Sequence, residues 1–303
     1  MEIRIASRRS PLARAQAELA ARTLHERYED LELSFVAIET EGDRKLSSAL
    51  VEIGGKGVFT QELEQMLRHD AVDVAVHSLK DLPTSLPRGL CVAAVLPRED
   101  PRDVLVSRDG MRLADLPRGA RIGTSSPRRQ AQLRLWRPDL QVEGVRGNVQ
   151  SRLRKLGDGA YDGLVMAAAG LLRAGEGARI TEYVDPDLML PAPAQGVIAL
   201  EARTARRDLR DVLRLVSDRA AQRASRAERA LLAGLGSGCA VPIGALSVVE
   251  GRKIYLRAGV FAPDGSAALR TEIVGTRAEE VGQEAAQTLL RMGAGRLLGS
   301  AAR

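Results

Sequence analysis

A chain of 303 residues with 45% hydrophobic and 28% charged positions has the profile of a soluble globular protein of two or three domains, which excludes a disordered or fibrous chain. The formal net charge is +6 and the pI is near 9.7, yet one Trp, four Tyr and three Phe are too few for base-stacking platforms, so nucleic acid is not the expected partner. No apolar run approaches the roughly 20 residues that span a bilayer, so no membrane partner is expected either.

In chain order, EIRIAS, LELSFVAI, AVDVAVHS and LCVAAVL read as strands, with SPLARAQAELAARTLHERY and VFTQELEQMLRHD as helices between them. This is βαβ organisation around a largely parallel sheet. After the charged, proline-marked crossing LPREDPRD the pattern restarts with DVLVS, ARIGTSSPRRQAQLRLW, LQVEGV, GNVQSRLRKLGDG and YDGLVMAAAG, which predicts a second α/β domain. LMLPAPAQGVIALEAR can return the chain toward the first domain, and residues 208–235 read as a strongly charged helix. From residue 236 the pattern becomes antiparallel, with turn signals at EGRK and PDGS, and TRAEEVGQEAAQTLLRM follows as a helix over one sheet face. The expected bounds are 1–97 with 195–215 for the first domain, 101–191 for the second and 218–303 for a small α+β third.

MEIRIASRRS carries charge among its apolar residues from the second position, unlike the apolar core of a secretory signal, so the expected location is cytoplasmic. Two cysteines in a reducing compartment argue against a structural disulfide. Cys91 lies in the apolar run GLCVAAVL and reads as a buried thiol, whereas Cys239 lies between glycines in LGSGCAVPIG. The three histidines are scattered singly, so no metal is expected. Residues 121–173 hold ten basic and four acidic side chains. That clustered charge suits a polycarboxylate small molecule.

No GxGxxG follows a strand, GGKG at 54–57 is not a Walker-type loop, and no serine-centred nucleophile elbow occurs. Eight local patterns remain, in this order: ASRRSPLARAQA, GGKGVFTQELE, AVHSLKDLP, RIGTSSPRRQAQL, VRGNVQSRL, AAAGLLR, PAPAQGVIALE and GCAVPIGA. Together they closely resemble the porphobilinogen deaminases. The resemblance covers nearly the whole chain. It implies an α/β fold of three domains, two of them periplasmic-binding-protein-like around a cleft, with a smaller α+β C-terminal domain. It also implies a monomeric transferase of heme and porphyrin biosynthesis that condenses four porphobilinogen molecules on a dipyrromethane cofactor, releasing ammonia, and then hydrolyses the product to hydroxymethylbilane.

Carried over position by position, the resemblance implies a thioether to dipyrromethane at Cys239 and catalysis by Asp81. Asp81 is expected just past a strand's carboxyl end, where open α/β sheets place ligands. Arg8, Lys80, Arg128, Arg129, Arg146, Arg152 and Arg173, with Ser78, Thr124, Ser125 and Ser126, match the positions that bind substrate and cofactor carboxylates, for which arginine forks are suited. Lys56, Gln16 and Gln195 match cleft-loop positions. On this reading, replacing Arg128 or Arg146 by leucine removes a carboxylate fork and leaves the fold intact. Two rival readings are a two-lobed protein that binds a polycarboxylate without chemistry, which has no use for Cys239 or Asp81, and nucleic-acid binding through residues 121–173.

Overall fold

The computed structural model describes residues 1–40, 60–236 and 241–300. They form two compact units, Met1–Glu99 with Val197–Gln222, and Asp100–Gly196 with Arg223–Arg303.

In the first unit, β1 (Glu2–Arg8) buries Ile3 and Ile5 on one face and pairs in parallel with β2 (Glu32–Ile38) and β3 (Val74–Ser78). β4 (Leu90–Val95) lies at the far edge, separated from β3 by β10 (Ile198–Arg203), which is antiparallel to both neighbours. The parallel expectation therefore holds for β1, β2 and β3. The reversed strand β10, fourth of the five, is formed by chain returning after residue 196, and side-chain alternation carries no information on strand direction. Helix α1 (Pro11–Arg27) starts where Ser10 Oγ accepts from the Ala13 N–H at 3.3 Å and Pro11 occupies the first turn. Ala13, Ala17, Ala20 and Leu24 recur at helical spacing, and the helix packs on Ile3, Ile5, Val74 and Val76. Helix α2 (Gln61–Arg68) sets Leu63 and Leu67 on the opposite face against Ala6, Ala75 and Leu90. Each such buried leucine contributes about 1.5–3 kcal/mol.

The helix expected over 208–235 is two helices, α6 (Arg207–Leu215) and α7 (Arg219–Gly234). Ser217 Oγ accepts from the Val95 N–H at 3.1 Å, and the Asp218 N–H donates to Val95 O at 2.8 Å. Asp218 Oδ1 then caps the second helix through the Ala221 N–H at 2.7 Å. These bonds to β4 break the helix where its charge pattern runs on without interruption.

Among the described residues the second unit holds two sheets. The larger has the order β7-β6-β8-β5-β9, from β5 (Asp103–Ser107), β6 (Arg121–Gly123), β7 (Gln141–Glu143), β8 (Gly163–Ala167) and β9 (Glu182–Tyr183). β6 is parallel to β7 and β8, and β5 is antiparallel to β8 with Asp103 opposite Ala167. Three helices follow the parallel strands: α3 (Pro127–Trp136), α4 (Val149–Gly157) and α5 (Ala168–Arg173). Ser126 and Asn148 cap α3 and α4.

The smaller sheet is the expected antiparallel one, β11 (Ile243–Glu250), β12 (Lys253–Phe261) and β13 (Ala268–Gly275). Helix α8 (Ala278–Arg291) covers its Ile254, Leu256 and Val260 face, and α9 (Ala294–Ser300) follows. On the other face Leu246 and Phe261 pack against Ala131 and Leu190 of the larger sheet's layer. Gly244 permits this approach, since a Cβ there would lie 2.5 Å from Leu190 Cβ. Fully buried Glu228 on α7 accepts the Ala194 N–H at 2.5 Å and the Ser247 N–H at 2.6 Å, joining the segment after β9 to strand β11.

Candidate active site

In the first unit the polar side chains gather at the carboxyl ends of parallel neighbours. Arg8 ends β1 and Ser78 ends β3. One 3-10 turn, Leu79–Asp81, follows. Leu79 and Leu82 are each 2% exposed, and the Leu79 N–H donates to Val197 O at 2.9 Å. The turn is thus pinned by its two leucines, leaving Lys80 half-buried and Asp81 exposed. Among the described residues no hydrogen-bond or ion-pair partner meets the Asp81 carboxylate. Gln16 is a buried residue of α1 whose Nε2 donates to Ser78 Oγ at 2.9 Å. This corrects its assignment to a cleft loop: position 16 falls in phase with the buried alanines of the helix. Lys56 and Cys239 lie outside the described residues.

In the second unit the carboxyl ends of β6 and β7 carry Thr124 to Arg129 and Arg146 to Arg152. Thr124 is buried, and its Oγ1 accepts the Ser126 N–H at 3.4 Å. Ser125 Oγ donates to Val145 O at 2.8 Å, tying the β6 end to the β7 end, and Ser126 Oγ accepts the Arg129 N–H at 3.5 Å. The three hydroxyls therefore shape the turn into α3. Arg173 ends α5 and donates to Gly196 O at 2.6 Å.

Arg128 and Arg129 are 4% and 7% exposed, and both grip the fully buried Asp103. Arg128 donates to Asp103 Oδ2 at 2.5 Å and Oδ1 at 3.2 Å, and to Leu190 O at 2.6 Å. Arg129 donates from Nε (2.9 Å) and Nη2 (2.8 Å) to Asp103 Oδ1, and from Nη1 to Val165 O at 3.1 Å. Burial alone would raise the Asp103 carboxyl; the two guanidinium charges outweigh it and hold the group far below the usual carboxylate range. The expectation that Arg128 is dispensable to the fold is corrected here, because its removal strips one partner from a buried anion. Gln195, 1% exposed, completes the cluster by donating to Asp103 Oδ1 at 2.9 Å and Pro101 O at 2.8 Å. Asp103 is the site residue that sequence reasoning missed. Its only signal is its place at the head of a buried strand, and Asp100 in the same charged run is equally eligible.

Arg146 and Arg152 are differently placed. Arg152 Nε donates to Gly147 O at 2.8 Å, and Gly147 has φ +110 with Ser151 Cβ 2.7 Å from where a Cβ would stand, so this turn requires glycine. Among the described residues neither Arg146 nor Arg152 has an acidic partner. Burial, with the positive charges of Arg129 and Arg146, pushes the Arg152 guanidinium down to about 10. A half-buried cation repelled by two others is a place where an anion is stabilising.

The fold and these groups define a class: an α/β protein with arginine-rich strand ends suited to an anion with several carboxylates, and an exposed carboxylate at a strand end of its other unit. The family model described as porphobilinogen deaminase, dipyromethane cofactor binding domain, matches residues 3–211, and that for the porphobilinogen deaminase C-terminal domain matches residues 222–291. The chain is 47% identical over 292 residues to the porphobilinogen deaminase of Desulfitobacterium hafniense, covering 96% of this chain and 95% of the relative. It is 47% identical over 299 residues to that of Desulforudis audaxviator, covering 98% and 97%. Among solved structures it is similar to the VFT2 domain of BvgS from Bordetella pertussis, at 17% identity and a TM-score of 0.44 over 71% of this chain and 86% of that one. The chain belongs to the porphobilinogen deaminase family. It is an enzyme, a transferase of porphyrin biosynthesis, and carries that family's dipyrromethane-binding domain.

Proposed function

We propose that this chain condenses four porphobilinogen molecules head to tail on a dipyrromethane held by a thioether at Cys239, releases ammonia at each addition, and hydrolyses the linear product to hydroxymethylbilane. It does so as a cytoplasmic monomer of three domains, 1–97 with 195–215, 101–191, and 218–303. The observation that carries this reading is the Arg129, Arg146 and Arg152 cluster, in which Arg146 and Arg152 have no acidic partner among the described residues while Arg152 is desolvated and repelled by its neighbours. Each pyrrole of substrate and cofactor bears an acetate and a propionate, so a donor set of arginines fits the group. Arg8, Lys80 and Arg173 add further donors at strand and helix ends.

When bound, the dipyrromethane supplies a pyrrole α-carbon as the nucleophile. Asp81 meets the substrate from its pinned turn. Loss of ammonia from the aminomethyl carbon leaves a cation on the substrate pyrrole, and a carboxylate about 4 Å away at an effective dielectric near 20 stabilises it by about 4 kcal/mol. If this stabilisation is confined to the transition state, it corresponds to roughly three powers of ten in rate. Gln16, through Ser78, holds the strand end from which the turn springs.

Peptide mass mapping of the purified protein tests the proposal. One dipyrromethane is expected on a peptide containing Cys239, and Cys239→Ser is expected at bare sequence mass and inactive with substrate present. An adduct on Cys91, or full activity in Cys239→Ser at bare mass, would sink the mechanism.

A further inference from the structure

Two buried aspartates each hold two arginines, and they lie at opposite ends of their sheets. Asp73, 5% exposed, directly precedes β3, at the amino end of the parallel strands; it accepts from Arg4 Nε and from Arg206 Nη1, both at 2.9 Å. Asp103 opens β5, but β5 is antiparallel to β8 and Asp103 pairs with Ala167, the last residue of β8. It therefore lies at the carboxyl end of the parallel strands, among Thr124, Arg128 and Arg129, where α/β sheets bind their ligands. The same ion-pair motif is structural in one unit and stands beneath the ligand-binding end in the other.

We propose that Asp103 is a positioning residue for the substrate's carboxylates, acting through Arg128 and Arg129; this rests on the reading that those arginines meet carboxylates. Asp103 is fully buried and touches no ligand itself. Its two oxygens accept four hydrogen bonds from the two guanidiniums and one from Gln195. Each guanidinium has five N–H groups. Arg128 donates three bonds to Asp103 and Leu190 O, and Arg129 donates three to Asp103 and Val165 O. Two N–H groups on each are left over among the described residues, in a plane that Asp103 dictates. The cluster has two cations against one anion, so the arginines are kept from repelling each other while an excess positive charge persists for a ligand. Long side chains already ordered in this way lose little freedom when a carboxylate arrives.

The test uses the holoenzyme. Asp103→Glu keeps the charge and displaces it by one methylene, and Asp103→Asn keeps the size and removes the charge. Asp73→Glu is the matched control. At a temperature where circular dichroism shows each variant folded, both Asp103 variants are expected to raise the KM for porphobilinogen at least tenfold with kcat changed less, as loss of binding common to substrate and transition state requires. Asp73→Glu is expected to lower the thermal midpoint and leave KM at the parent value. A folded Asp103 variant with parent KM, or an equal KM shift in Asp73→Glu, overturns the proposal. Should neither Asp103 variant fold, Gln195→Met decides: it removes the amide that orients the Asp103 carboxylate, and parent KM in that variant overturns the proposal as well. Arg146→Leu separates the two levels, because Arg146 is not among the residues that hydrogen-bond Asp103. Raised KM there with parent KM in Asp103→Glu rejects the positioning role alone, whereas parent KM in both rejects the carboxylate reading itself.

Discussion

Gln16 and Ser78 share a hydrogen bond of 2.9 Å, from Nε2 on α1 to Oγ at the last residue of β3. It joins the helix face to the strand end two and three residues ahead of Lys80 and Asp81. Together with the buried Leu79 and Leu82 it gives the turn three attachments to the core, so an exposed carboxylate is carried on a rigid support.

Because that support does not involve the Asp81 side chain, Asp81→Asn should leave the far-ultraviolet circular dichroism and thermal midpoint at parent values. Turnover should drop by about three powers of ten. Retention of more than about a tenth of the activity, equivalent to less than about 1.4 kcal/mol of lost stabilisation, would remove Asp81 from the catalytic role.

Arg128 and Arg146 should separate. Arg146→Leu leaves no buried group unpaired and should raise KM without moving the thermal midpoint. Arg128→Leu leaves Asp103 with fewer donors in a fully buried site, and a lost partner in such a pair destabilises by about 3–5 kcal/mol, toward the low end where a second arginine remains. Equal midpoints for the two variants would contradict the geometry around Asp103.

Thiol labelling should distinguish the cysteines. Burial pushes the half-buried Cys91 thiol up, with Glu201 adding to the rise against the opposing Arg210. Iodoacetamide at pH 8 should therefore label the native holoenzyme slowly. After denaturation one label is expected, on Cys91, because a thioether at Cys239 does not alkylate. Two labels on the denatured protein would mean that Cys239 carries no adduct.

Two carboxylates of the first unit should respond to pH with opposite signs. Burial by itself would raise Asp73, but hydrogen bonds and charge from Arg4, with Arg206, hold it below its ordinary value. Its contribution to stability is therefore present above the unfolded value of about 3.9 and is lost as pH falls through the folded one. The stability gap between parent and Asp73→Asn should close below about pH 4. Glu64 is raised by burial and by Glu201, against Thr60, His77 and Arg68. Its contribution is present below the unfolded value and lost as pH rises through the folded one. Glu64→Gln should raise the thermal midpoint at pH 8 and give no gain at pH 4; a loss at both would show that the Glu64 side chain is needed for packing or hydrogen bonding.

Strand and helix positions were legible because burial on one face imposes periods of 2 and 3.6 on the residues, as in Ile3 and Ile5 of β1 and the alanines of α1. The local pattern also placed Asp81 after a strand, and that placement holds. Motif matching likewise works position by position, which is why the family was readable from eight short segments. What periodicity and motifs do not contain is which distant groups meet. The direction of β10, the break between α6 and α7 at Ser217 and Asp218, and the grip of Asp103 on Arg128, Arg129 and Gln195 all depend on partners 25 to 126 residues away. An arginine beside a helix cap has the same local sequence whether its fork faces solvent, a ligand or a buried aspartate. Only the antiparallel pairing of β5 with β8 brings Asp103 beneath those arginines, and in that low-dielectric layer an unpaired charge is so unfavourable that the pairing, once formed, decides what each side chain is left to do.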